Sequence, residues 1–417
     1  MASTQVDTGC ASTFYQHQLL DNNKRQFRLL RLCNSSECAM NYQLITSSLE
    51  NHPPYVALSY TWGEETSTGS INIDGKKFKI GTNLLSFLDT YHADEYLWID
   101  QICIDQSNIE ERNHQVGMMW EFYIQCKFVL VWLQDEKTRN DDEKSSGWPT
   151  IALLHNAYFG RVWIVQELLL SKDVHILVEG NVSVSWESLR KKCEELRPEI
   201  RKALPSSTRW MVESWYHRRL FASHTPVSST YYVTTTVGWF CDKKCKEPRD
   251  KVYGFMALVQ PSSRVDIDYQ RAVQEIFLDA VMSMIREYWH MRHVTPSDGY
   301  ELQRVKWNFK ESIDSSWRLA QNMSFTNLET SGLRSFVQCI WERVLRYEVT
   351  GSSGNPRLNT KTHCITSVGF EPSGRRLSRD EQLKATHDRW WYETGGRRYY
   401  HDCKEWSGKA KTQEYLA

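Results

Sequence analysis

The glutamate of a Trp-x-x-x-Glu block is the residue in this chain that is best placed to do chemistry. The block, Trp163 to Glu167, lies between residues 128–133 and Val174–Val178, two short apolar segments typical of buried strands. Open parallel sheets bind ligands beyond the carboxyl ends of their strands. A carboxylate there could stabilise positive charge that develops on a bound substrate. Glu167 is therefore the candidate catalytic residue.

Two upstream blocks place further polar side chains at predicted strand ends. Ser59 and Tyr60 close the β-rich run Tyr55–Tyr60, and Asp100 interrupts the apolar run of residues 97–104. A strand with a purely structural role would not need a carboxylate there. If the strand order is as predicted, these side chains meet the glutamate at one sheet edge, where an aromatic ring could stack on a planar ligand. The candidate substrate-binding residues are Ser59, Tyr60, Trp62, Asp100 and Trp163.

Each of these candidates also has a purely structural explanation. Glu167 could form an ion pair with Arg161 or Arg112 that ties two helices together. Trp163 has helical spacing to nearby apolar residues, so its ring could belong to the core. Asp100 could cap the following segment or hydrogen-bond to the next loop. The residue types alone leave a catalytic site and a structural network both open.

The apolar segments predict strands that alternate with helices of moderate length. We expect these strands at Gln26–Cys33, Tyr55–Tyr60, residues 97–104, residues 127–133 and Val174–Val178. Residues 71–80 are expected to form a hairpin with Asp74-Gly75 as its two-residue turn. The alternation implies right-handed βαβ units and a parallel sheet flanked by helices.

Capping residues predict where two of the helices begin. Residues 83–91 carry apolar residues at helical spacing, with Thr82 or Asn83 available as a cap. The pattern Ser107-x-x-Glu110 predicts a capping box at the start of the next helix. Both helices follow predicted strands, as an α/β fold requires.

The overall composition excludes several classes of function. At 417 residues the chain exceeds one typical core, so two or three domains are expected. The 51 basic and 51 acidic residues argue against a nucleic-acid binder. No apolar stretch is long enough to span a bilayer, and no signal peptide is visible. Eleven scattered cysteines indicate reduced thiols in a cytoplasmic protein.

The sequence also argues against a metal and a bound cofactor. The histidines show no paired spacing, and Cys241-x-x-x-Cys245 lacks the second half of a zinc site. The chain has no Gly-x-Gly-x-x-Gly fingerprint and no P-loop, which disfavours the common dinucleotide and NTP folds.

Four ordered motifs resemble the fungal heterokaryon-incompatibility (HET) domain. They are Ser59-Tyr-Thr-Trp-Gly63, Trp98-Ile-Asp-Gln-Ile-Cys-Ile-Asp-Gln106, Glu111-Arg112 with Gln115 and Met119, and Arg161-Val-Trp-Ile-Val-Gln-Glu167. The resemblance covers about residues 52–260. Gln101 stands where the family often has alanine, and Asp105 where asparagine is usual. Beside the candidate pocket, the residues expected to serve the motif or an interface are Glu111, Arg112, Gln115, Arg161 and Gln166.

The resemblance implies a cytoplasmic protein of non-self recognition whose domain triggers growth arrest or cell death. HET domains are remotely similar to TIR domains, so the implied fold is a TIR-like (flavodoxin-like) parallel sheet. In catalytic TIR domains, the helix after the third strand carries the glutamate that cleaves the nicotinamide–ribose bond of NAD. By this resemblance Glu167 has that role, and NAD is a substrate rather than a cofactor. The implied partners are further copies of the chain or an incompatibility partner protein.

Two other functions stay open beside an NAD hydrolase. The domain could be a non-catalytic, self-associating signalling module in which Glu111 forms a salt bridge to another domain or copy. It could also be a HET-like protein recruited to specialised metabolism. We predict an N-terminal extension, the HET domain, a helical extension that includes one helix over residues 186–204, and a C-terminal region of unknown role, at residues 1–51, 52–180, 181–300 and 301–417.

Overall fold

The computed structural model divides the chain into two compact units, Met1–Leu220 and Phe221–Ala417. The residues that the structure describes are 14–33, 41–63, 68–92, 94–133, 153–154, 156–178, 182–196, 198–204, 208–209, 212, 231–293 and 300–323. Most of the predicted C-terminal region, from residue 324 onward, lies outside the described residues. Within the described ranges no helix is long and apolar enough to cross a bilayer.

The first unit is built around a nine-stranded sheet with helices, which confirms the α/β class. Its strands are β1 (Gln26–Cys33), β2 (Asn41–Ser48), β3 (Tyr55–Tyr60), β4 (Thr68–Ile73), β5 (Lys76–Gly81), β6 (Tyr96–Trp98), β7 (Val129–Leu133), β8 (Val174–Val178) and β9 (Val182–Ser185). Their order across the sheet is β5-β4-β2-β1-β6-β3-β7-β8-β9.

The sheet is mixed: the prediction of a parallel sheet is right for its centre, whereas the strands on either side pair mostly antiparallel, with β2–β4 as a further parallel pair. Strands β6, β3, β7 and β8 run parallel to their neighbours in that group. The pairs β1–β2, β4–β5 and β8–β9 are antiparallel. The cause is connection length, because parallel neighbours need a crossover of about a dozen residues or more and these pairs are joined by far shorter segments.

The four parallel strands have the order 2-1-3-4 when they are counted along the chain, because β3 lies between β6 and β7. Every residue of β3 and β7 is buried, as expected for strands covered on both faces. Their carboxyl ends are adjacent, with Tyr60 paired to Trp132. Strand order reverses between these two strands, and ligands of open α/β sheets bind at such a switch point.

The helices of the first unit are α1 (Thr82–Thr90), α2 (Asp100–Cys103), α3 (Ile109–Gln125), α4 (Ile164–Leu170), α5 (Trp186–Glu195) and α6 (Pro198–Ala203). The prediction of one strand over residues 97–104 is wrong, because β6 ends at Trp98 and a helical turn follows. The backbone N–H groups of Ile102 and Cys103 both donate to the Ile99 carbonyl, at 3.0 and 2.7 Å, which forms this turn.

Two predicted helix caps are also wrong. The N-cap of helix α3 is Asn108, whose side chain accepts from the Glu111 N–H at 3.1 Å, whereas Ser107 is turned towards the Asp105 carboxylate. Helix α1 begins after Gly81 without a side-chain cap. The Asn83 side chain points inward and binds the Thr61 carbonyl at 2.5 Å.

The hairpin prediction is confirmed, whereas the single helix over residues 186–204 is wrong. Asp74 and Gly75 have φ values of 50° and 74°, the left-handed conformation that a tight two-residue turn requires. Helix α5 ends at Glu195 and α6 begins at Pro198. Proline is tolerated in the first turn of a helix but not in its interior, so the chain breaks there.

The described residues of the second unit are largely helical. They form α7 (Val233–Phe240), α8 (Asp250–Tyr253), α9 (Val273–His293) and α10 (Tyr300–Asn322). Helices α9 and α10 pack against α7. The buried Glu287 of α9 accepts hydrogen bonds from the backbone N–H groups of Val233 and Thr234, at 2.7 and 3.2 Å. A side chain from another helix thus caps α7, whose own N-cap residue makes no side-chain cap.

Candidate functional site

A buried chain of three polar side chains lies at the switch point of the sheet. Glu167 is in the first turn of α4, and the Ser59 hydroxyl at the end of β3 donates to its Oε2 atom. The Tyr158 hydroxyl lies 2.5 Å from Ser59 Oγ. Since the single hydroxyl proton of Ser59 points to Glu167, Tyr158 donates to Ser59. All three side chains are at most 3% exposed.

The ionisation of Glu167 is shifted towards neutral pH. Burial is the main cause that raises the pKa of its carboxyl, to about 7, and the Asp100 charge contributes in the same direction. The positive charge of Arg161 and the hydrogen bond from Ser59 act in the opposite direction. A carboxyl with a pKa near 7 exchanges protons readily at neutral pH, as a general acid or base must.

A second polar pair, Trp62 and Asp100, lies at the more exposed side of the same edge. The Trp62 indole N–H donates to both carboxylate oxygens of Asp100, at 3.1 and 2.9 Å. Trp62 is 37% exposed, a high value for a large apolar ring. Burial raises the pKa of Asp100, and the Arg161 charge counteracts this rise. This pair gives the site an aromatic surface next to a carboxylate.

Arg161 acts electrostatically on both groups, the chain of Glu167, Ser59 and Tyr158 and the Trp62–Asp100 pair. Its Nη1 atom donates to the backbone carbonyl of Tyr60, so the guanidinium is fixed at the end of β3. Its charge lowers the pKa of both Asp100 and Glu167. The hydrogen bond that the structure gives Glu167 comes from Ser59, so a simple Glu167–Arg161 ion pair does not describe this contact.

The remaining predicted substrate-binding residues frame this edge. The Tyr60 ring is buried, and its hydroxyl donates to Gln101 Oε1 at 3.1 Å. Gln101, one of the departures from the family pattern, also accepts from the Gly81 N–H at 3.4 Å. Trp163 is half-buried and directly precedes α4 as its N-cap residue. Tyr60 is thereby a supporting residue, while Trp62 is the aromatic group that solvent reaches.

The motif residues of α3 face the interior of the unit. Glu111 pairs with both terminal nitrogens of Arg28 on β1, at 2.6 and 2.9 Å, and both side chains are at most 4% exposed. Gln115 donates to the Gln26 carbonyl at 2.8 Å. Arg112 is half-buried. The salt bridge expected at Glu111 is therefore formed inside the unit rather than with another domain or copy.

Two residues of this region were not singled out from the sequence. Tyr158 precedes the Arg161 motif, and its contact with Ser59 spans 99 positions. Asn83 was considered only as a cap, yet its Oδ1 accepts from the Trp132 indole at 2.9 Å. The only signal for Tyr158 in the sequence was its position in the block Tyr158-Phe-Gly-Arg161, just before the Arg161 motif. Gln166 is 2% exposed beside Glu167.

The described residues contain no group of three or more histidine, cysteine, aspartate or glutamate side chains that could hold a metal ion. The side chains that the site itself supplies are two carboxyls, one guanidinium, two hydroxyls and an accessible indole. These groups can stabilise a cationic sugar and transfer a proton.

Part of the first unit matches a known protein family. Residues 55–150 match the family described as heterokaryon incompatibility protein (HET). This part of the chain is a HET domain. The matched range contains Ser59, Trp62 and Asp100 and ends before Arg161 and Glu167.

Two curated fungal proteins are similar to this chain over part of its length. One is the Heterokaryon incompatibility protein 6, OR allele, of Neurospora crassa, 36% identical over 153 residues. The other is the Vegetative incompatibility protein HET-E-1 of Podospora anserina, 32% identical over 129 residues. These alignments cover 31% and 29% of this chain but 22% and 9% of the relatives. No solved structure matches the chain.

Proposed function

We propose that this chain acts in fungal non-self recognition and cell death, and that its HET domain cleaves the nicotinamide–ribose bond of NAD or a related nucleotide. The observation that carries the proposal is the buried Glu167 carboxyl at the switch point of the sheet, with its pKa raised to about 7. The incompatibility role is supported by the names of the two fungal relatives.

The strand order supports the expected likeness to TIR domains. The parallel core has the order 2-1-3-4, and α4 follows β7, the third of its strands. Flavodoxin-like sheets share this order and bind their ligand between the first and third strands. Glu167 lies on α4 and contacts Ser59 at the end of β3, so the carboxyl is at the position where a nucleotide would bind.

In the proposed reaction the bond between ribose C1′ and the nicotinamide nitrogen breaks, and nicotinamide leaves with the electron pair. The ionised Glu167 stabilises the positive charge that develops on the ribose, and it accepts a proton from the water that attacks C1′. Tyr158 and Ser59 hold the carboxylate through their hydroxyls. Trp62 provides a ring on which a planar base can stack, and Asp100 holds that indole in place.

The structure has this site in a closed form. Glu167 is 3% exposed and Ser59 is 1% exposed, so a nucleotide reaches the carboxyl only after covering groups move. An effector that kills its own cell needs such a closed form. We propose that self-association, or binding of an incompatibility partner, opens the site.

The same closed network favours one alternative, a non-catalytic signalling module. Glu167, Ser59 and Tyr158 satisfy one another without any ligand, as a structural cluster would. Ile109, the first residue of α3, is 42% exposed and could belong to an association surface. Under this alternative, substitutions on the exposed face of α3 reduce signalling and the Glu167 carboxylate is dispensable.

The test is cellular NAD after induced expression in a heterologous fungal host. Wild type is compared with Glu167→Gln and with the control Glu110→Gln, which changes an exposed glutamate of α3. The proposal expects NAD to fall with wild type and Glu110→Gln but not with Glu167→Gln, at equal protein levels. Toxicity of wild type and Glu167→Gln with unchanged NAD would instead support the signalling module, which also expects Glu110→Gln, on the exposed face of α3, to be less toxic.

A further inference from the structure

We propose that the accessible half of the candidate site, formed by Trp62 and Arg161, is a preformed subsite that holds the base and a phosphate of a nucleotide while Glu167 is still covered. The inference rests on the proposed function, because it concerns how the same nucleotide is bound before it reacts. Trp62 is 37% exposed and Arg161 is half-buried, whereas Glu167 is 3% exposed. A ligand can therefore contact the tryptophan and the arginine before it reaches the glutamate.

The backbone that carries Trp62 is fixed by the start of α1. Asn83 donates to the Thr61 carbonyl and accepts from the Trp132 indole at 2.9 Å, which ties this segment to the neighbouring strand β7. Gly81 lies so close that a Cβ atom there would come within 2.7 Å of the Trp62 carbonyl oxygen. Any residue other than glycine would displace the backbone, so the position of the segment depends on this close approach.

The orientation of the Trp62 ring is fixed as well. Its indole N–H donates to both oxygens of Asp100, whose carboxylate also accepts from the Gln101 backbone at 2.7 Å. The one polar atom of the ring is thereby bonded, and the exposed part of the side chain is apolar surface that a planar base can cover. Stacking of a base on an aromatic ring contributes about 1–3 kcal/mol, and little of it is lost here in ordering the side chain.

Arg161 has binding capacity that the protein does not use. Its Nη1 atom donates to the Tyr60 carbonyl, two positions before Trp62, so the guanidinium lies beside the segment that carries the ring. Among the described residues this is its one hydrogen bond, and no carboxylate contacts the guanidinium directly. Asp100 and Glu167 interact with it through their charges. A guanidinium has five N–H donors in a planar fork that suits a phosphate, so the remaining donors are available to an anion.

Together these groups define the class of ligand. Trp62 binds a planar ring, and Arg161 binds an anionic group of oxygens. Asp100 and Glu167 repel an anion from the inner side of the site, so the phosphate binds on the side of Arg161 that faces solvent. A nucleotide carries both parts, a base and a phosphate on one ribose. A nucleoside satisfies only Trp62, and a free phosphate satisfies only Arg161.

The proposed reaction assigns the two ends of the dinucleotide to the two halves of the site. It brings the nicotinamide ribose to Glu167, so the outer half holds the other end, the adenine and its phosphate. Affinity for the nucleotide and opening of the site are thus separate properties. Opening moves the covering groups away from Glu167 and admits the nicotinamide end, whereas the adenine end is already bound.

The experiment is calorimetric titration of the purified full chain with ADP, adenosine and inorganic pyrophosphate. ADP has no nicotinamide, so its binding is measured whether or not the protein cleaves NAD. We expect ADP to bind roughly tenfold more tightly than adenosine or pyrophosphate, and equally to wild type and Glu167→Gln. Equal affinity for ADP and adenosine, or no binding of ADP, overturns the inference. Cleavage of NAD without ADP binding would leave the proposed function standing, and ADP binding without cleavage would do the reverse.

Three variants localise the binding. Trp62→Leu removes the ring at an exposed position and should weaken ADP roughly tenfold without changing the affinity for pyrophosphate. Arg161→Gln should bind ADP no more tightly than adenosine while adenosine binding is kept, a result that misfolding would not produce. The control Lys172→Gln removes an exposed cation beyond the C-terminal end of α4 and should change neither affinity. An unchanged preference for ADP in Arg161→Gln, or equal ADP affinity in Trp62→Leu and the control, overturns the assignment.

Discussion

Two buried glutamates, one in each unit, have similarly raised pKa values but different hydrogen-bond partners. Glu167 is 3% exposed and Glu287 is 2% exposed, and burial raises the pKa of each carboxyl to about 7. Glu287 accepts from two backbone N–H groups and from the hydroxyl of Thr234, all at the start of α7. Two of its partners are backbone groups at the start of a helix, so its role is that of a helix cap.

The partners of Glu167 are side chains instead. Its carboxyl accepts from Ser59 and responds to the charges of Arg161 and Asp100, which approach from separate elements of the sheet edge. A raised pKa is therefore no mark of a functional site by itself, because the cap has it too. What distinguishes Glu167 is the convergence of polar side chains from separate elements at a switch point of the sheet.

The largest expected difference between the two glutamates is in the rate of NAD cleavage after the same substitution at both sites. We expect Glu167→Gln to reduce the rate at least 100-fold, in the range found when one charge-stabilising group is removed from an active site. Glu287→Gln should leave the rate within about twofold, since a cap makes no contact with substrate. NAD turnover in clarified extracts of the expressing cells measures both. Equal losses would mean that Glu167 is also structural.

The free energy of unfolding should respond in the opposite order, with a larger loss from substitution at Glu287 than at Glu167. Glu287→Ala leaves two buried backbone N–H groups without an acceptor, and we expect a loss of about 3 kcal/mol in unfolding free energy. Glu167→Gln retains size and hydrogen-bonding capacity, and we expect a change below about 1 kcal/mol. Urea unfolding followed by tryptophan fluorescence gives both values. A larger loss at Glu167 would reverse the assignment of roles.

Both residues should make the free energy of unfolding depend on pH in the same direction. Each folded carboxyl keeps its proton up to a pKa of about 7, against an ordinary value of 4.5. Each therefore contributes stability that is complete below pH 4.5 and is lost as the pH rises to about 7. This loss is on the order of 3 kcal/mol per residue. Unfolding at pH 5 and pH 8 should show a smaller decline in Glu167→Gln and in Glu287→Gln than in wild type.

The smallest effect is expected from Ser59→Ala. The Ser59 hydrogen bond favours the ionised carboxylate, so its loss raises the pKa of Glu167 further. The rate of NAD cleavage should fall roughly fivefold at pH 7 and recover towards pH 9. A rate that is reduced equally at every pH would show that Ser59 contacts the substrate directly rather than setting the charge of Glu167.

Local patterns in the sequence predicted those elements whose determinants are local. The buried strands β3 and β7 follow from continuous apolar runs, and the hairpin turn follows from Asp74-Gly75. The short α2 was missed because it is one turn whose backbone hydrogen bonds return to Ile99, inside a run of residues that is otherwise apolar. A single turn is too short to leave a periodic signal in the sequence.

Local sequence patterns could not predict the contacts between the side chains of the site. Ser59 and Glu167 are 108 positions apart, and they meet only because β3 and β7 are neighbours in the sheet. The family resemblance supplied the order of the strands and hence the expectation that polar residues converge. It gave no information on Tyr158, whose role depends on the conformation of a short 3-10 turn, Ala157–Gly160.

The Arg28–Glu111 pair has a consequence for where this domain begins. Arg28 lies on β1, ahead of the family match that starts at residue 55, while Glu111 lies within it. A shortened chain that began at Tyr55 would leave Glu111 as an uncompensated charge in the interior and would expose the edge of β6. The segment recognisable as a family is thus smaller than the segment that can fold. Domain exchange between related proteins should therefore carry β1 and β2 along with the matched region.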